Sequence, residues 1–156
     1  MDDEKFMKLA IDKAREGVDE GQTPFGACIV KDGKVVVCVH NVVWATMDIT
    51  AHAEVHAIRQ ACGELGTINL EGCEIYATCE PCPMCFSAIH WSRISRIVYG
   101  ARIADAKEIG FHELEISNQR MKEIGRSSVE LVGDVLREEA IELFRYWREK
   151  NGSRKY

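Results

Sequence analysis

The stretch Thr78-Cys79-Glu80-Pro81-Cys82-Pro83-Met84-Cys85, TCEPCPMC, packs three cysteines and two prolines into eight residues. Upstream, Glu74 to Thr78 reads as a strand; downstream, Cys82 to Trp91 reads as a helix and Arg96 to Tyr99 as a second strand. Strand, helix, strand implies a parallel pair joined by a right-handed crossover. The cysteines therefore sit where a strand ends and a helix begins, the place where open α/β sheets build their sites. Pro81 stiffens the entry, and Pro83 takes a first-turn position where a missing N–H costs little. Cys82 and Cys85 are three apart on that turn, so their sulfurs share a face, and the positive end of the helix favours the thiolate form that binds metal.

Outward from this motif the pattern alternates. Phe6, Ala10, Ala14 and Val18 fall at four-residue steps, predicting an amphipathic helix from Asp3 to about Gly17. The β-branched runs Ala27 to Val30 and Val35 to Val39 flank Lys31-Asp32-Gly33-Lys34, a short-hairpin signal. A loop from Asn41 to Thr50 leads to a helix from about His52 to Leu65. A short helix near Ala104 to Ile109, a loop through Gly110-Phe111-His112-Glu113, a helix near Asn118 to Glu123, a strand near Val129 to Val132 and a helix from about Val135 to Lys150 follow. The expected fold is α/β, a three-layer α/β/α sandwich around a mixed, roughly five-stranded sheet, in one domain over 1–156 without repeat or linker.

Composition narrows the class. With 156 residues, 46% hydrophobic and 29% charged, the chain has ordinary globular usage, which excludes disordered and fibrous classes. No apolar run approaches the roughly 18 residues of a membrane span, and the start, MDDEKF, lacks the character of a signal peptide, so a cytoplasmic location without membrane association is expected. Seven cysteines, an odd number with no export signal, point to reduced thiols rather than a disulfide framework. A net charge of −5 supplies no global basic field for nucleic acid.

By itself Cys-x-x-Cys serves redox exchange or structural zinc equally well. Thr50-Ala51-His52-Ala53-Glu54 discriminates, because it sets an imidazole at the start of another helix with a carboxylate two residues on. One histidine and two cysteines make three ligands, and zinc with three protein ligands keeps a fourth position open for water. Cys79 is the candidate that would close that position in a purely structural site. The pattern H-x-E followed by P-C-x-x-C, a zinc-deaminase signature, uses His52, Glu54, Pro81, Cys82 and Cys85 and leaves Cys79 out.

His52-Ala53-Glu54 together with Pro81 to Cys85 resembles the cytidine deaminase superfamily. That resemblance implies zinc held by His52, Cys82 and Cys85, with Glu54 moving protons from water to the ring and the leaving ammonia. One branch is closer. TPFGACIVKDGKVV, HNVV, TAHAEVHAIRQAC, CEPCPMCFSAIHWSR and IGFHE run in the order seen in bacterial guanine deaminase, from about Thr23 to Glu113, and the chain ends in tyrosine as that family does.

The branch implies deamination at carbon 2 of guanine to xanthine and ammonia. It also implies Phe25 stacking on the base, Asn41 bonding its edge, Ala53 and Trp91 contributing to the pocket, and Glu113 as a second acid that holds the base and assists proton transfer. Phe25 and Trp91 serve equally as core residues, Asn41 as a turn former and Glu113 as a solvated acid. The resemblance further implies a homodimer in which the segment of about 127–156 crosses to the neighbouring subunit and Tyr156 closes that subunit's site.

This chain departs at three places: His112 replaces a usual acid, Ile49 stands where proline is frequent, and Trp44 adds bulk beside Asn41. Rival expectations are deamination of cytosine, guanosine or a triazine amine, and a zinc-stabilised scaffold without catalysis. A tRNA adenosine deaminase would need a basic surface, whereas the last helix mixes Arg137, Arg145, Arg148 and Lys150 with Glu138, Glu139, Glu142 and Glu149.

Overall fold

The order of elements in the computed structural model is α1 (Asp3–Asp19), β1 (Gly26–Lys31), β2 (Lys34–His40), α2 (Val43–Thr46), α3 (Ala53–Leu65), β3 (Cys73–Cys79), α4 (Pro83–Ser92), β4 (Arg96–Ala101), α5 (Ile103–Glu108), α6 (Asn118–Gly125), β5 (Glu130–Val132) and α7 (Arg137–Asn151). The structure describes residues 2–156, so Met1 of the expected 1–156 domain lies outside the described residues. The strands form one five-stranded sheet in the order β2-β1-β3-β4-β5. β1 runs antiparallel to β2 and β3, while β3, β4 and β5 are parallel, which makes the sheet mixed as expected.

Alternation along the strands explains the layers. On one face Ala27 and Ile29 of β1, Ile75 of β3 and Ile97 of β4 pack against Ala53, Ala57 and Ala61 of α3 and Phe86 and Ile89 of α4. On the other, Cys28, Val30, Tyr76 and Val98 meet Phe6, Met7, Ala10, Ile11 and Ala14 of α1 and Leu143 of α7. Small residues on α3 let it lie close to the sheet. Gly26 does the same for α1, since a Cβ there would come 2.2 Å from the Ala10 carbonyl oxygen. The β1–β2 turn has Asp32 at φ 49° and Gly33 at φ 72°, the backbone of a type I′ hairpin turn that Asp-Gly favours.

Several boundaries differ from the sequence reading. Helices α3 and α4 begin at Ala53 and Pro83, because His52 and Cys82 are extended N-caps rather than helical residues. Helix α7 begins at Arg137 because Leu136 takes a left-handed conformation at φ 50°. The loop after β2 contains α2, one turn too short to show a hydrophobic period.

A buried ion cluster ties the far end of the sheet together. Arg96 of β4 donates to Asp3 of α1 at 2.8 Å, to Glu74 of β3 at 2.9 Å and to Glu130 of β5 at 3.2 Å. No helix among the described residues is long and apolar enough to cross a membrane.

Candidate metal and catalytic site

Because β3 and β4 are parallel, their C-terminal ends share one edge, and the loops before β1 and after β2, β3 and β4 gather there. Helices α3 and α4 start at that edge with their N-termini facing each other. The N-caps are His52 and Cys82, and Cys85 follows on the first turn of α4. His52 Nδ1 lies 3.6 Å from Cys82 Sγ and 3.6 Å from Cys85 Sγ. The three ligand atoms all fall within 4.8 Å of one another. A tetrahedral centre with Zn–N of about 2.05 Å and Zn–S of about 2.3 Å has N···S edges of about 3.6 Å, so this donor set fits zinc in chemistry and size.

Cys79 does not join them. Its buried thiol donates to the Arg102 carbonyl at 3.6 Å, and burial raises its pKa well above that of a free thiol. The cysteine pair itself is polarised. The Cys85 contact and then His52 pull Cys82 down to about 4, while the Cys82 contact and burial push Cys85 well up. Burial alone would lower His52, but the Cys82 contact and the Glu54 and Glu113 carboxylates leave its pKa raised.

Glu54 follows on the first turn of α3 with 7% of its surface exposed. Burial, with the Cys82 thiolate adding to it, pushes it up to about 7. Glu113, beyond Gly110, is also pushed up to about 7, again by burial first and then by Cys82 and Glu54. A divalent cation among these groups would oppose all of these upward shifts.

Phe25, Asn41, His52, Glu54, Cys82, Glu113 and Tyr156 line one inner cavity of about 20 Å³, with Cys79 and Glu80. Phe25 is half-buried and meets Phe111 edge-on at 5.0 Å, so it serves the wall and the core at once. Asn41 is buried. Its Oδ1 accepts from the Val43 N–H at 3.0 Å and its Nδ2 donates to the Tyr156 hydroxyl at 2.5 Å. Tyr156 stacks on His52 at 5.2 Å, its hydroxyl is 3.2 Å from Thr23 Oγ1, and its main-chain carboxylate oxygen accepts from the His112 N–H at 2.9 Å. In the single chain, Tyr156 lies over the site of its own chain.

A vestibule of about 270 Å³ lies outside, lined by Ile49, Met84, Leu114 and Phe111 and sharing His52, Cys82, Glu113 and Tyr156 with the inner cavity. The inner volume suits about one water molecule. With Tyr156 in this position the cavity is too small for a purine ring.

Two of the expected pocket residues, Trp91 and Ala53, are not among the residues lining the inner cavity or the vestibule. Trp91 is 80% exposed on the outer side of α4, against His90 and far from the cavity wall, because the buried face of that helix carries Cys85, Phe86 and Ile89. It is not a core residue either. The Ala53 side chain points into the core between α3 and the sheet, leaving only its backbone near the site.

Two residues escaped the sequence reading. Thr23 holds the Tyr156 hydroxyl. Glu80 accepts from the Ile103 N–H at 3.1 Å and the Asn118 N–H at 2.9 Å, anchoring the cysteine loop to the starts of α5 and α6. A carboxylate inside a Cys-Glu-Pro-Cys turn with no other clear use was the available signal for Glu80.

Comparison with known proteins agrees with this geometry. Guanine deaminase of Bacillus subtilis (strain 168) is 41% identical over 157 residues, covering 100% of both chains. A solved structure of guanine deaminase from Bacillus subtilis superposes with a TM-score of 0.68, at 50% identity, over 70% of this chain and 71% of that one. Guanine deaminase from Nitrosomonas europaea superposes at 0.84 with 27% identity over 94% of this chain and 84% of that one. The tRNA-specific adenosine deaminase of Aquifex aeolicus is 46% identical, but over 101 residues, 65% of this chain and 67% of that protein. Residues 1–101 match the cytidine and deoxycytidylate deaminase zinc-binding region, and the chain belongs to that family.

Proposed function

We propose that the protein is a zinc-dependent aminohydrolase that converts guanine and water to xanthine and ammonia. The observation that carries this is a buried carboxylate, Glu54, set beside a three-donor cluster that leaves a tetrahedral position free. A structural zinc site has no use for such an acid.

His52, Cys82 and Cys85 would hold the zinc, which when bound supplies a water that ionises near neutral pH. Glu54 takes a first proton from the water and gives it to the ring nitrogen as oxygen adds to carbon 2, then carries the proton left on that oxygen to the amino group, which departs as ammonia as the C–N bond breaks. Its burial keeps the carboxyl out of bulk water, which suits proton transfer inside the site. Glu113, across the cavity, accepts from ring N–H groups, which guanine offers and cytosine offers less fully. Asn41 gives the purine edge one donor and one acceptor, and Phe25 supplies an apolar wall for the ring.

In this reading Tyr156 leaves its Asn41 contact to admit the base and then closes over it, excluding water and anything larger than a free base. Two copies would form a dimer. A tRNA substrate is disfavoured by the negative charge, and the tRNA deaminases of Aquifex aeolicus and Bacillus subtilis align over 65% and 88% of this chain where the guanine deaminase aligns over all of it.

The test is ammonia release from guanine, guanosine, cytosine, adenine and triazine amines under one set of conditions. Guanine is expected to lead by kcat/KM; preference for any other of these overturns the substrate assignment while leaving the hydrolase reading intact.

A further inference from the structure

Tyr156 is the last residue of a short strap, and chain ends fray unless something outside the terminal residue holds them. Here the strap touches three loops. Arg154 Nη1 reaches the Gly21 carbonyl at 3.5 Å, Lys155 lies against Gly110, and Trp44 Nε1 donates to the Arg154 carbonyl at 2.7 Å. The Arg154 guanidinium also sits over the Trp44 ring, 5.9 Å from its centroid.

Trp44 is well placed for this grip. It is half-buried on α2, whose backbone is fixed from two sides: the Asn41 side chain accepts from the Val43 N–H at 3.0 Å, and Gln22 accepts from the Ala45 N–H at 3.2 Å. Asn41, which anchors α2, is the same residue that bonds the Tyr156 hydroxyl. The platform, the strap and the pocket are therefore one connected unit. The contact to Arg154 lies outside the cavity, so Trp44 touches neither the metal ligands nor the space where a base would sit.

We infer that Trp44 is a positioning residue that latches the C-terminal strap through Arg154, setting how often Tyr156 leaves the pocket formed by His52 and Asn41. The inference goes beyond guanine hydrolysis, and its first readout needs no substrate. The grip is the same whichever subunit of an assembly supplies the strap.

The experiment measures release of Tyr156 from the folded, zinc-loaded full chain by a carboxypeptidase, followed by mass spectrometry. Cleavage here reports the open fraction of the strap. Trp44→Phe keeps the ring under Arg154 and loses the N–H donor, and is expected to speed release about 2- to 10-fold. Trp44→Ala loses both contacts and is expected to speed it about 5- to 50-fold. Zinc content and the thermal midpoint should stay unchanged in Trp44→Phe.

The second readout is a coupling test. Trp44→Ala should change kcat/KM in the full chain and leave it unchanged, within about 1.5-fold, in a chain lacking residues 154–156. Release of Tyr156 at the wild-type rate from both variants overturns the latch. So does an equal change of kcat/KM with and without the strap, which would place the effect in the Asn41 loop itself. If removing the strap leaves kinetics untouched, the closing role of Tyr156 falls, while the release rates still judge Trp44.

Discussion

His52 Nδ1 stands at the same 3.6 Å from the sulfurs of Cys82 and Cys85, although Cys82 is 30 residues away in sequence. The triangle exists because two helices start at one sheet edge and each offers its N-cap or first turn as donor. Cys79, in the same loop, is spent on a backbone carbonyl. Cys82→Ser and Cys85→Ser are therefore expected to lose zinc on purification, and Cys79→Ala to keep it. Metal analysis of the three purified proteins checks this; loss of zinc in Cys79→Ala alone would make Cys79 a ligand.

The raised carboxyls make the metal-free chain sensitive to pH. A carboxyl held at about 7 in the folded state, against 4.5 as its ordinary value, binds its proton more tightly folded than unfolded. Below about pH 4.5 it is protonated in both states and contributes nothing; between pH 4.5 and 7 it progressively destabilises the fold, and above 7 the cost is complete. For Glu54 that cost is on the order of 3 kcal/mol. After zinc is stripped, Glu54→Gln should match wild type in thermal midpoint near pH 4.5 and exceed it at pH 8. An equal difference at both values would contradict the burial argument.

At the opposite end of the sheet, Arg96 meets Asp3, Glu74 and Glu130 with its side chain 7% exposed. Its hydrogen bonds hold Asp3 below the usual carboxylate range, with Tyr76 assisting and burial opposing. That stabilisation is complete above about pH 4 and is lost as pH falls through the depressed value. Arg96→Met should cost about 2 to 4 kcal/mol at pH 7, since it strands partly buried carboxylates. Urea unfolding should show the deficit shrinking at pH 3.

Much of this site is legible in the sequence because its signals are local. Three donor side chains and a buried carboxylate occupy two short helix starts, and proline, cysteine and spacing mark them without reference to the rest of the chain. The sheet follows from period-two alternation and the parallel crossover. What was not legible depends on direction in space. Trp91 belongs to the cysteine helix, but the helical phase turns it outward while Cys85 and Phe86 turn in. Ala53 lies between two site residues and faces the core for the same reason. Thr23, Glu80 and the Trp44 contact with Arg154 join segments far apart in the chain, and no spacing rule reports such pairs.

Routing of the strap can be read by mixing two impaired chains, one carrying Glu54→Ala and one lacking residues 154–156. If the C-terminal segment is exchanged in a dimer, the intact tail of the first completes the intact site of the second, and co-refolding restores activity. A strap that stays in its own chain, as in the single-chain structure, leaves the mixture no more active than its parts.

Replacement of Glu54 reaches the centre of the account most directly. Glu54→Gln should retain one zinc per chain and the wild-type fold while kcat for guanine falls by about 10²- to 10⁴-fold, the range expected for loss of a general acid–base group. A zinc-loaded, folded Glu54→Gln protein that still releases ammonia from guanine at the wild-type rate would contradict it.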